Sequence, residues 1–162
     1  MKRQLFDDYA GAIMEAGARE AQQAGSVTIE AEHLLLSIAA ERESAAGRAL
    51  GSAGLDPGTI REALRQEFRA SLEVAGVSIA ERDLPAPQAS TAPPSKMGQS
   101  AKLALERGVT AVQNKKDLRP GHLLLGILRL EHGTVPRALS AAGVDRGALR
   151  QRVEQALRDD QA

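Results

Sequence analysis

The chain states one pattern twice. Residues 33–69 lie on residues 122–158 at a constant offset of 89 without a gap, and 15 of the 37 aligned pairs are identical. Unrelated segments of that length would share roughly 2 or 3. His33-Leu34-Leu35-Leu36-Ser37-Ile38 is matched by His122-Leu123-Leu124-Leu125-Gly126-Ile127. Arg48-Ala49-Leu50 is matched by Arg137-Ala138-Leu139, and Ala53-Gly54-Leu55-Asp56 by Ala142-Gly143-Val144-Asp145. A repeated unit cannot bury its apolar face alone, so two similar half-domains must pack on each other. Two related binding surfaces then become possible.

Alanine, leucine, arginine and glutamate dominate and β-branched residues are sparse, a mix that favours helix. Phe6, Ala10, Ile13, Gly17 and Ala21 fall at helical spacing and predict a first helix stopping near Gly25. A second helix follows Thr28 as N-cap, and Leu34, Leu35, Leu36 and Ile38 cover so much of its surface that it should be central and buried. A third runs from about Ser44 to Ala53. Asp56 and Pro57 open a fourth, with Ile60, Leu64 and Phe68 as its apolar stripe.

The second half repeats this order. Leu105, Val109 and Val112 mark helix five, Arg119 to Glu131 helix six, and helix seven begins around Gly133 with Pro136 in its first turn. Asp145 caps helix eight, whose stripe is Leu149, Val153 and Leu157. The expected architecture is all-α: two pseudo-symmetric repeats of four helices, about eight helices in all. Repeat one is assigned to 1–72, a proline-rich linker to 73–95, and repeat two to 96–162. The linker's Pro85, Pro87, Pro93 and Pro94 suggest an extended, mobile segment. Each half alone would be marginal, so the halves should share a buried face.

Composition narrows the function. Lys plus Arg and Asp plus Glu both number 21, and the aromatics are Phe6, Tyr9 and Phe68 alone. The first fact disfavours nucleic acid or an anionic membrane, and the second removes the stacking platforms of single-strand binders. With no cysteine there is no thiolate metal site or cysteine nucleophile. No His-Glu-x-x-His, P-loop or Gly-x-Ser-x-Gly elbow occurs, so neither a metal, another cofactor nor enzymatic activity is expected. No early apolar run resembles a signal peptide or membrane span, which makes a cytoplasmic protein the expectation.

Glu32-His33-Leu34-Leu35-Leu36, opening the second of four helices in a duplicated set, resembles the Clp N-terminal domain family. These are the double-repeat helical modules at the front of Clp unfoldases. Phe6, Gly25, Ala49-Leu50, Gly54-Leu55, His122 to Leu128, Gly133, and Leu139 to Val144 extend the resemblance over nearly the whole chain. It implies protein recognition without catalysis: reception of client proteins or adaptors for an ATP-driven unfoldase. Without ATPase modules the chain reads as a free-standing domain, acting as accessory adaptor or decoy, or as a domain excised from a full-length Clp ATPase. Arginine-containing or phosphoarginine ligands and cyclic peptides are the small ligands implied.

In ClpC-type members, the resemblance further implies, a glutamate before each repeat's histidine meets a guanidinium. A threonine at the start of each repeat's first helix helps hold the phosphate. Glu32 matches that glutamate, whereas Asp7 stands at the threonine position and would repel a phosphate dianion. An Asp7/Glu32 carboxylate pair would instead accept an unmodified arginine or lysine. In repeat two the glutamate position is Gly121, and the threonine position falls in Ser95 to Met97, with Ser95 offering a hydroxyl. His33 and His122 are read as core histidines bonded to nearby backbone. His132 is read as a solvated helix-end residue, Lys115, Lys116 and Arg119 as a solvated loop cluster, and Phe6 and Phe68 as core.

Overall fold

The computed structural model describes residues 2–160, and among them eight α-helices and no β-strand appear. Repeat one holds α1 (Lys2–Gln23), α2 (Ala31–Ala40), α3 (Ala45–Ser52) and α4 (Pro57–Val74). Repeat two holds α5 (Gln99–Val109), α6 (Gly121–Leu128), α7 (Thr134–Ala141) and α8 (Arg146–Asp159). Short 3-10 turns at Glu81–Asp83 and Lys115–Asp117 interrupt the connections.

Local chemistry accounts for the boundaries. The Ser44 Oγ accepts from Gly47 N–H at 2.9 Å at the start of α3. Asp56 accepts from Thr59 N–H at 2.8 Å while Thr59 Oγ1 accepts from Asp56 N–H at 3.0 Å, a reciprocal capping box with Pro57 next in line. Asp145 accepts from Ala148 N–H at 3.0 Å at α8. Helices α3 and α7 end alike. Gly54 (φ 75°) and Gly143 (φ 74°) turn the chain left-handed, and the next N–H groups, of Leu55 and Val144, donate to Leu50 O and Leu139 O at 2.9 and 3.0 Å.

The repeats pack by exchange. α1 lies on α2 and α5 on α6, but α4 packs on α7 and α3 on α8, each across the pseudo-two-fold. All eight residues of α6 are buried, as are Ala31 and His33 to Ala39 of α2. Leu34, Leu35, Ile38, Leu123, Leu124 and Ile127 from these two helices join Phe6, Ile13, Leu50, Ile60, Leu139 and Leu149 in one apolar cluster spanning both halves. The shared face expected from the size of each half is thus present.

Several sequence expectations are corrected. The N-cap of α2 is Glu30, not Thr28. α5 ends at Val109, leaving Val112 in the following turn, and α6 is shorter than the segment from Arg119 to Glu131. Phe68 is 52% exposed, because α4 turns Ile60, Ala63 and Glu67 inward toward α7 instead. The proline-rich stretch is tied down at Ser90, whose N–H donates to Gln22 O at 2.9 Å and whose carbonyl accepts from Gln22 Nε2 at 3.2 Å.

Candidate functional site

The N-terminus of α2 gathers the acidic groups. Glu32 is the second helical residue and is half-buried. Burial pushes its carboxyl above the ordinary value; its own backbone N–H opposes this, and the charges of Glu30 and Glu67 add to it. Glu67 reaches the same neighbourhood from α4. It is buried, accepts from Ser71 Oγ at 2.6 Å, and pairs with Arg137 Nε of α7 at 2.8 Å. Glu30 is met by Thr28 Oγ1 at 2.8 Å, by Ser100 N–H at 3.2 Å and by the Ser100 hydroxyl.

Three carboxylates therefore approach one another, and two have donors of their own. Glu32 has no side-chain donor among the described residues. A half-buried carboxylate raised by burial and like charge is relieved by a cation from outside, and guanidinium or ammonium are the chemistries that fit. Glu30 and Glu67 were not singled out from the sequence. Their repeat-two counterparts, Arg119 and Ala156, break the repeat pattern, and that break was the available signal.

The other candidates are not assembled around Glu32. Gly17 of α1 packs against His33 and Leu34, whereas Tyr9 faces Glu41 and Ser44 at the far end of α2. Asp7 lies beyond Tyr9, about 15 Å along α1 from the Gly17 level at 1.5 Å per residue. It is exposed, and the structure does not bring it to Glu32. Gly108 of α5 packs on His122 and Leu123 as Gly17 packs on His33 and Leu34, which sets the first-helix register at an offset of 91. In that register Asp7 corresponds to Gly98, and Ser95 stands exposed outside α5.

Gly121 is buried, and any side chain there would have to displace Leu157. A Cβ there would lie 2.7 Å from Leu157 Cδ2. Leu157 is the counterpart of Phe68, so the apolar group covers this position in repeat two and points outward in repeat one.

The two histidines do the same structural job. His33 Nδ1 accepts from Glu30 N–H at 2.9 Å, and His122 Nδ1 accepts from Arg119 N–H at 2.8 Å. Each satisfies an orphan donor at the start of a central helix, and burial lowers both ring pKa values. Phe6 is buried, His132 is exposed, and Lys115 and Lys116 are exposed in their 3-10 turn. No group of three or more metal-ligating side chains occurs among the described residues, and no described helix is long and apolar enough to cross a membrane.

A family model described as the Clp repeat N-terminal domain matches residues 5–117 and 96–161. Two chloroplastic chaperone proteins of Oryza sativa subsp. japonica, ClpC1 and ClpC2, are 36% and 35% identical over 74 residues, 46% of this chain. The chain's match spans 8% of the length of each. The crystal structure of the N-terminal domain of the ClpD chaperone from Arabidopsis thaliana superposes with a TM-score of 0.65 at 21% identity. It covers 98% of this chain and 97% of that one, which establishes the shared fold. With its two helical repeats and the matches that cover both of them, the chain belongs to the Clp repeat N-terminal domain family.

Proposed function

We propose that this domain is a non-enzymatic recognition module that receives client proteins or adaptors of a Clp unfoldase, with Glu32 taking a basic side chain of the bound segment. The observation that carries the reading is Glu32 itself. It is the one member of the Glu30, Glu32 and Glu67 group left without a side-chain donor among the described residues, half-buried at a helix start. Arginine fits better than lysine because its planar fork can meet a carboxylate through two N–H groups. Repeat two, with Gly121 under Leu157, offers no equivalent carboxylate. The domain would serve as an accessory adaptor, or as a decoy that sequesters clients. The short match to far longer chaperones equally supports a front module of a complete unfoldase.

Calorimetric titration with an arginine-containing peptide, arginine and phosphoarginine tests this. The peptide should bind, Glu32→Gln should weaken it about tenfold, and Asp7→Asn should leave it unchanged. Equal affinity of wild type and Glu32→Gln refutes Glu32 as the contact. Phosphoarginine binding tighter than arginine and abolished by Glu32→Gln would instead restore the phosphate-reading role.

A further inference from the structure

A second charged feature lies away from Glu32, on repeat two. Arg107 of α5, Arg129 after α6, and Arg146 and Arg150 of α8 line one open concavity of about 620 Å³. Glu131 is the single acidic residue in its lining. We propose that this concavity docks an acidic peptide segment, one presenting several Asp or Glu carboxylates.

Geometry separates these arginines from an ordinary solvated surface. Arg107 donates through Nη1 to the Arg129 carbonyl, and Arg146 donates through Nη1 to Leu130 O at 2.6 Å. Both guanidiniums are thereby held in place with other N–H groups left over, and a fixed fork loses little entropy when it binds a carboxylate. None of the four is ion-paired among the described residues. Arg146 and Gly147 are the first two residues of the 14-residue helix α8, so the positive end of its dipole adds to the field.

The other repeat supplies an internal control. At the matching offsets, repeat one carries Ala16, Ala40, Pro57 and Arg61. Three of the four cations are absent, and Arg61 is neutralised by Glu20 at 3.0 Å. A chain of zero net charge has thus concentrated unpaired cations in one hollow of one repeat. The hollow is far larger than one phosphate and open to solvent, which suits a length of polypeptide better than an enclosed small anion. All three aromatics lie elsewhere, which disfavours nucleic acid.

The test uses fluorescence anisotropy on the whole chain, with a labelled Asp/Glu-rich peptide and its Asn/Gln counterpart. The Arg129 and Arg150 side chains donate no hydrogen bond among the described residues, so Arg129→Ala/Arg150→Ala leaves the framework intact, as circular dichroism would confirm. The acidic peptide should bind and the neutral one should not. Affinity should fall at least about tenfold in the double variant and steeply with added salt. Arg61→Ala and Glu32→Gln should bind the acidic peptide as wild type does, which separates this site from the one at Glu32. No binding of the acidic peptide, equal binding of the neutral one, or an unchanged double variant overturns the proposal. So does tighter binding of pyrophosphate or duplex DNA than of the peptide.

Discussion

Glu30→Gln tests the contact that couples the two repeats. The Glu30 carboxylate lies over Gly98 at the start of α5, so close that a Cβ there would sit 1.6 Å from Oε1. It accepts from Ser100 N–H and the Ser100 hydroxyl of repeat two and from Thr28 of repeat one, while the Ser100 Oγ accepts from Ala31 N–H at 2.9 Å. One side chain thus caps α5 and ties it to the start of α2. The parallel bridge between Ile29 and Met97 runs beside it. Hydrogen bonds to a charged group contribute about 1.5–3 kcal/mol each, and a capping side chain about 0.5–2. Glu30 is only partly buried, and glutamine keeps one acceptor oxygen, so the net loss should be about 2 kcal/mol. At about 2–4 °C per kcal/mol for a chain of this size, Tm should fall by about 4–8 °C.

The pH dependence checks the cause. Partial burial pushes the Glu30 carboxyl up, but the Ser100 hydroxyl, Thr28 and Ser100 N–H outweigh it and hold the group below its ordinary value. A carboxyl depressed on folding adds stability above its unfolded pKa, and that stability is lost as pH falls through the lower folded value. The Tm gap between wild type and Glu30→Gln should therefore be full at pH 7 and close progressively below about pH 4. Thermal denaturation followed by circular dichroism reads both. A gap under about 1 °C at pH 7, or one that does not shrink in acid, would refute the staple.

Glu32→Gln should do the opposite: its raised carboxyl makes the charged form unfavourable on folding, so the variant should be as stable as wild type at pH 4 and more stable as pH rises to 7, by thermal melts. Gly126→Ala should cost at least about 3 kcal/mol in urea denaturation, because the new Cβ would lie 1.9 Å from Ala104 O of α5. Ser37→Ala, at the matching site, loses only a hydroxyl bond to His33 O at 2.8 Å and should cost under about 1 kcal/mol. Arg137→Ala leaves the buried Glu67 with Ser71 alone and should cost about 1–2 kcal/mol, the low figure reflecting an arginine that is 58% exposed. The same variant with Glu67→Gln should recover most of that loss.

The repeat made much of this fold legible. Its helical spacing placed the elements, Ser44 marked the start of the third, Asp56 and Asp145 were readable as caps, and the buried histidines followed from their place on nearly all-apolar helices. What escaped was set by partners in the other half. A stripe of Ile60, Leu64 and Phe68 is a sound helical face in isolation, yet α4 packs on α7 and buries Glu67 while Phe68 turns outward. Glu30 was passed over because its main partner is Ser100, 70 residues away, in a helix whose register differs from that of α2 and α6. A constant offset of 89 aligns the later helices, whereas the Gly17 and Gly108 contacts set the first-helix pair at an offset of 91, one residue beyond the span from Ser95 to Met97.

The same exchange of partners explains why the two repeats can diverge while the fold persists. The central helices require apolar residues and a histidine cap in both halves, and those are the identities retained. The helix starts facing outward carry no such requirement. There repeat one holds Glu32 among carboxylates, while repeat two closes Gly121 beneath Leu157 and gathers arginines around the start of α8. Duplication thus supplied one scaffold with two surfaces of opposite charge, carboxylates at the start of α2 and arginines around the start of α8. If both readings hold, a partner with a basic residue and an acidic stretch at the right separation would engage both at once. Linking two weak contacts raises affinity through effective concentration, without either becoming strong alone.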